Sequence, residues 1–222
     1  MQHTVHSKYT NLFQAISKPE WDREVDELYK EIPSLGKEQV LAGFVHLLAL
    51  FQVGHTLLNI FELQQGSTPI PLNRLPYGLY AFSDGVYILM AADQYQKAVG
   101  GKVLKIGNLT VEEALKAIRP LVSYENEQGF RNKSMYYLTI PEFLKTQGIT
   151  SNSSQVPITW MKNGKEETTV FTAGPNPNDY YTTGLETPVG WTVAKKSRDP
   201  PLWQKEPSSF RFIFSLRFSS RV

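Results

Sequence analysis

The chain of 222 residues contains no cysteine. A disulfide framework, a thiolate zinc site and a thiol nucleophile are thereby excluded. An excess of one charge is also missing: 23 Lys and Arg stand against 21 Asp and Glu, a net charge of +2. That balance gives no basis for a nucleic-acid partner, which calls for a basic patch or stripe. The N-terminal "MQHTVHSKYT" has no apolar stretch of signal-peptide type, so the default compartment is the cytoplasm. No G-x-S-x-G elbow and no H-E-x-x-H occurs, and Gly100-Gly101 lacks the Lys-Ser/Thr ending of a phosphate loop. Neither a cofactor nor a metal is expected.

What is present is ordinary globular material. Hydrophobic residues make up 41% and charged residues 20%, enough for a core in one large domain or two small ones. "SKPE" sets Ser17 as an N-cap, with Pro19 in the first turn and Glu20 at the capping-box position. Trp21, Val25, Leu28, Tyr29 and Ile32 then recur at helical spacing until Pro33. A second, nearly all-apolar helix is expected from about Glu38 to Gln52, ending in "VGHT" with Gly54 as the stop. The apolar run from Val40 to Ile60 approaches membrane-span length. It carries His46, Gln52, His55 and Asn59, however, and polar groups at bilayer depth are costly, so a buried helix is preferred.

Prolines 69, 71 and 76 mark a linker. "YGLYAF" and "GVYILMAA" read as a hairpin turning at Asp84-Gly85, followed by a short helix "DQYQKAV" and a strand "KVLKI". Thr110 and Glu113 form a second capping box ahead of a helix over Val111 to Ile118, ended or kinked by Pro120. "SYENEQGFRNKSMYYL" suggests a further helix despite Gly129. "VPITWMKNGKEETTVFTAG" is a hairpin turning at Asn163-Gly164, and "SFRFIFSLRF" alternates as a strand with one very apolar face. The expected class is α+β. The expected parts are a helical subdomain (1–68), an α/β subdomain (69–150) and a β-rich segment (151–222).

Taken together, the helical pair ending in "VGHT", the strand pair and "VGGKVLKIGNLTVEEALKAIRPLVSYEN" resemble the front half of carboxyl-terminal-processing and tricorn-core type serine peptidases. The resemblance covers about residues 10 to 172. It implies that residues 69–150 are PDZ-like and that a crotonase-like serine domain follows. It makes His55 the candidate general base, with Val53 where the family carries an acid. The serine itself has no counterpart, so the chain is expected to be a truncated, N-terminal relative that binds peptide without turnover. A split peptidase, completed by a serine-domain polypeptide, and a non-enzymatic interaction module are the alternatives. A PDZ-like unit adds an extended peptide or unfolded segment to a sheet edge. Here "GVYILMAA" would be that edge and Val111 to Ile118 the opposite wall, with Val86, Ile88, Leu115 and Ile118 as lining.

Read without the resemblance, these residues have plainer roles. His55 can cap a helix C-terminus, where an imidazolium meets the dipole favourably. The four lining residues can be core. His46 and His55 lie nine apart, on opposite sides of a continuous helix, and share a metal only if the helix ends between them. Glu125 and Glu127 read as a solvated helix face. His3 and His6 fall in a polar terminus, and Asn108, Asn132 and Asn152 open glycosylation-type triplets that matter only in an exported protein.

Overall fold

The structure is a computed structural model that describes residues 12–56, 58, 72–175 and 188–194. Helices and an antiparallel sheet make it an α+β protein. The expected strand "SFRFIFSLRF", His3, His6 and residues 67–71 of the Pro-rich linker lie outside the described residues.

Helix α1 (Lys18–Glu31) starts at the capping box read from the sequence: Ser17 accepts from the Glu20 amide, and Glu20 reaches back to Ser17. Helix α2 (Lys37–Ala49) follows a 3-10 turn at Ile32–Ser34. The two helices approach closely at Gly43, where a Cβ would lie 2.5 Å from a Leu28 methyl. Trp21 is buried, stacks on Phe51 with centroids 5.4 Å apart, and donates its indole N–H to Leu47 O at 3.1 Å.

Strands β1 (Asn73–Arg74), β2 (Tyr77–Phe82) and β3 (Gly85–Ala92) come next. Phe82 stands opposite Gly85, so the β2–β3 turn is made by Ser83 and Asp84; the expected Asp84-Gly85 turn is shifted by one residue. A 3-10 helix (Asp93–Ala98) leads to β4 (Lys102–Ile106) and β5 (Leu109–Thr110). Helix α3 (Val111–Ile118) begins at the Thr110–Glu113 capping box and ends in a 3-10 turn around Pro120. Helix α4 (Glu127–Tyr137) is capped by Asn126, whose side chain accepts from Gly129 N–H; that glycine sits in the first turn and does not interrupt the helix. Helix α5 (Pro141–Thr146) has no counterpart among the expected elements. Six residues are too few for a periodic apolar pattern to be recognised.

The hairpin β6 (Gln155–Lys162) and β7 (Lys165–Thr172) turns at Asn163 and Gly164, whose φ values of 53° and 74° fit a primed turn. The chain then forms β8 (Gly174–Pro175), which pairs with β1, and β9 (Trp191–Val193). The main sheet runs β2-β3-β4-β6-β7, with β5 on β4 and β9 on β3. The β4–β6 pairing carries this sheet across residue 150. The sheet curls until its two outer strands meet: Tyr77 of β2 and Phe171 of β7 touch edge to face, with centroids 4.8 Å apart. One core extends from Leu41 of α2 to Phe171.

Candidate functional site

Two places carry the sequence-based expectations: the turn bearing His55 and the region between β3 and α3. Helix α2 stops at Ala49, and Gln52, with φ 51°, takes the left-handed backbone that leads the chain away. Gly54 is therefore not the helix stop, which corrects the expectation. Its φ is not in the left-handed region. The need for glycine at 54 is one of space.

Gly54 is buried and gripped from both sides of its peptide unit. Its N–H donates to Glu125 Oε1 at 3.0 Å, and its carbonyl accepts from Lys133 Nζ. Lys133 also donates to Ser123 O at 2.9 Å. A Cβ on Gly54 would stand 3.0 Å from Lys133 Nζ and 3.3 Å from Glu125 Oε1. The buried Ser123 hydroxyl lies 2.9 Å from Val53 O and 2.7 Å from Thr56 O. Ser123, Glu125 and Lys133 thus tie down both ends and the middle of the 53–56 turn. Partial burial holds the Lys133 ammonium below the ordinary lysine range, and the Glu125 carboxylate opposes that shift.

His55 is exposed at the crest of this turn. Among the described residues no side chain hydrogen-bonds its ring. Ser123, tied to both neighbours of the turn, points its hydroxyl at the carbonyls of Val53 and Thr56, so its proton is committed there. His46 serves the fold: its Nδ1–H donates to Pro120 O at 2.9 Å and links α2 to the end of α3. The helix does end between His46 and His55. Among the described residues no group of three or more His, Asp or Glu is arranged to hold a metal ion.

Glu125 and Glu127 are both exposed, as expected, but do not share a helix face. Glu125 precedes α4 and grips Gly54, whereas Glu127, in its first turn, makes a two-pronged pair with Arg119 at 2.8 and 2.9 Å. The Arg119 guanidinium lies 3.7 Å from the Phe130 ring centroid and donates to Tyr124 OH at 3.0 Å. The Arg119 bond keeps the Glu127 carboxyl below the usual range.

The Arg119–Glu127 pair stands beside a cleft of about 360 Å³, lined by Gly85, Val86, Leu115, Lys116, Phe130 and Arg131 among others. Of the four expected lining residues, Leu115 is partly exposed at this cleft; Val86 borders it but is 2% exposed, and Ile88 and Ile118 are fully buried in the core. Strand β3 is not a free edge, which corrects the expected mode of peptide addition. Its one flank pairs with β2; its other is taken by β4 at Tyr87 and by β9 at Met90 to Ala92. Strand β2 in turn packs against α4, and Arg131 of that helix donates to Phe82 O at 3.1 Å.

Arg119, Phe130, Arg131, Ser123 and Lys133 carry no signal in the sequence that marks them out. Their partners lie 5 to 79 positions away along the chain, beyond the reach of helical or strand spacing rules. Among the described residues no helix is long and apolar enough to cross a membrane. Comparison with protein-family models finds no match, and no curated protein matches the chain.

Proposed function

We propose that this chain is a peptide-binding unit of serine-peptidase-like type, with a PDZ-like part that receives a segment of unfolded protein in the cleft between α3 and α4. The observation that supports it is the composition of that cleft. Leu115 offers apolar surface over the buried Val86 and Phe130, and the charged side chains of Glu112, Lys116, Arg119, Glu127 and Arg131 stand around it. A concave, mostly apolar site with a few polar groups is the common form of a ligand site. In this reading His55 is a general base held ready on a clamped turn, and a serine would come from a second polypeptide. By itself the chain binds and does not cleave.

The test is binding of fluorescent peptides to the full chain by anisotropy. Leu115→Glu puts a charge on the apolar surface and should weaken binding about ten-fold or more, by the cost of burying a charge. Val170→Glu, on exposed β7, should leave it unchanged. Equal affinity for both variants would reject the cleft. A non-enzymatic interaction module is the second reading, favoured by the commitment of the Ser123 hydroxyl to two carbonyls. Casein and peptide-hydrolysis assays bear on turnover: no rate above a His55→Ala control is expected. A rate that His55→Ala abolishes would overturn the non-cleaving reading.

A further inference from the structure

Strand β7 ends the path of the main sheet, and its pairing with β6 runs without a bulge from Lys165 to Thr172. Ala173 N–H donates to Ser154 O at 2.8 Å, on the β6 side, whereas Thr172 N–H turns away and donates to Tyr95 OH at 3.1 Å. Alternate residues of an antiparallel strand turn their N–H and C=O to the same side. Glu166, Thr168 and Val170 therefore present theirs on the outer flank. Among the described residues no main-chain group meets them there. All three residues are exposed, Val170 by 49%. The Tyr77 and Phe171 rings touch at the far end of β7, but among the described residues no ladder joins β2 to β7. Folded proteins normally shorten, bulge or cover such an edge.

We propose that the outer edge of β7 docks a second copy of this chain, whose own β7 runs antiparallel across a twofold axis at Thr168. The register argues for this occupant. With the axis at Thr168, Glu166 stands opposite Val170 of the second copy, and Thr168 stands opposite its counterpart. The three open residues then pair with one another and with nothing else, through about six main-chain bonds. Other registers fail for a stated reason. Moving the axis to Glu167 or Glu166 sets a glutamate directly opposite its own counterpart, and like charges opposed across a ladder are destabilising. Moving it to Thr169 or Val170 brings in Thr172, whose N–H is committed to Tyr95. The edge is thus complementary to itself in one register, as a twofold contact requires.

The side chains agree with that register. The Thr159 and Thr168 hydroxyls already bond at 3.0 Å. A hydroxyl donates one bond and accepts two, so Thr168 can extend this row to its counterpart across the axis. Glu167 lies on the other face of β7, where it pairs with Lys97 at 2.7 Å and leaves the edge clear. The run Thr168, Thr169, Val170 is β-branched throughout, which suits a strand with neighbours on both flanks. The edge shares no residue with the α3–α4 cleft, so it stands or falls separately from the function proposed above.

Sedimentation equilibrium and hydrogen exchange on the full chain test it together. A monomer–dimer equilibrium is expected below about 1 mM, as for a small specific contact. The amides of Glu166, Thr168 and Val170 should exchange at least about ten-fold more slowly in concentrated than in dilute protein. Those of Glu167 and Thr169, which face β6, should not change. Thr168→Glu opposes like charges across the axis and should weaken the dimer at least about ten-fold. Val170→Lys sets an ammonium opposite Glu166 of the second copy and should tighten it at least about two-fold. In a Glu166→Lys background the same change should weaken it. Circular dichroism checks that each variant folds, and if Thr168→Glu does not, the two Val170→Lys measurements decide. A chain that stays monomeric up to about 1 mM overturns the proposal. So does a dimer indifferent to Thr168→Glu, or one on which Val170→Lys acts alike in both backgrounds. Protection of Glu166, Thr168 and Val170 that survives dilution also overturns it, because a segment of the same chain would then cover the edge.

Discussion

The Gly54 amide donates to the Glu125 carboxylate at 3.0 Å across a sequence separation of 71 residues. This bond, with Lys133 on the opposite carbonyl, is why glycine occupies the turn before His55. The side chains that approach are flexible at their ends, so Gly54→Ala should fold but lose part of the clamp. A cost of about 1 kcal/mol is expected for a displaced, part-buried hydrogen bond. In a Glu125→Ala background the added methyl finds space, and the cost should shrink by about half or more, since residues in contact couple. Urea melts of the four proteins of the cycle measure it. Additive costs would show that the methyl and the carboxylate do not compete.

The two helix-region histidines should behave differently. His55 is exposed and unbonded among the described residues, so His55→Ala should change stability by no more than about 0.5 kcal/mol. His46 joins α2 to the Pro120 carbonyl. His46→Ala should cost about 1 kcal/mol, the typical worth of one hydrogen bond. Urea denaturation followed by tryptophan fluorescence compares them. A larger loss at 55 than at 46 would contradict this assignment.

Glu142 supplies a pH dependence. It is buried in α5; its Oε1 accepts from the Asn73 amide and side chain at 3.0 and 2.8 Å, while its Oε2 has no hydrogen-bond partner among the described residues. Burial pushes its carboxyl above the ordinary value, only partly opposed by the Asn73 bonds. The folded state therefore holds a proton that the unfolded chain has already released. The associated stability is fully present below the unfolded value, about 4.3, and is lost as pH rises through the folded one. Glu142→Gln keeps the neutral form. It should match the parent chain at acid pH and be the more stable of the two at pH 7. Thermal melts across that range decide it; parallel stability curves would show that Glu142 does not titrate in this way.

Trp21 anchors the small cluster of Leu12, Leu48 and Phe51 through packing and through its bond to Leu47 O. Trp21→Phe retains much of the stack and loses the bond. A cost of about 1–2 kcal/mol is expected, against about 3–5 kcal/mol for Trp21→Ala, which also opens a cavity. Equilibrium unfolding ranks the two, and equal costs would place the energy in the bond alone.

Local order is legible in the sequence because its causes are local. The Ser17–Glu20 and Thr110–Glu113 boxes, helix α3 and the Asn163-Gly164 turn each depend on residues a few positions apart, so spacing and turn chemistry suffice to name them. The β2–β3 turn lies one residue earlier than its glycine suggests, because Gly85 serves as the first strand residue and leaves the turn to Ser83 and Asp84. Helix α5 and strand β9 are not legible because short elements carry no period.

Residue chemistry by itself determined the α+β class and the lack of thiol chemistry, whereas His55 was singled out by what the resemblance implies. The tertiary structure alone decided what surrounds that histidine and which strand flanks are taken. Ser123, Glu125 and Lys133 reach the 53–56 turn only because α3 and α4 fold back on the end of α2. The strand "GVYILMAA" reads as an edge in one dimension, yet it is interior because β4 and a distant three-residue segment complete its second flank. Hydrogen-bond donors on a backbone look the same in any sequence. Which of them remain open depends on the partners that the folded chain brings from far away.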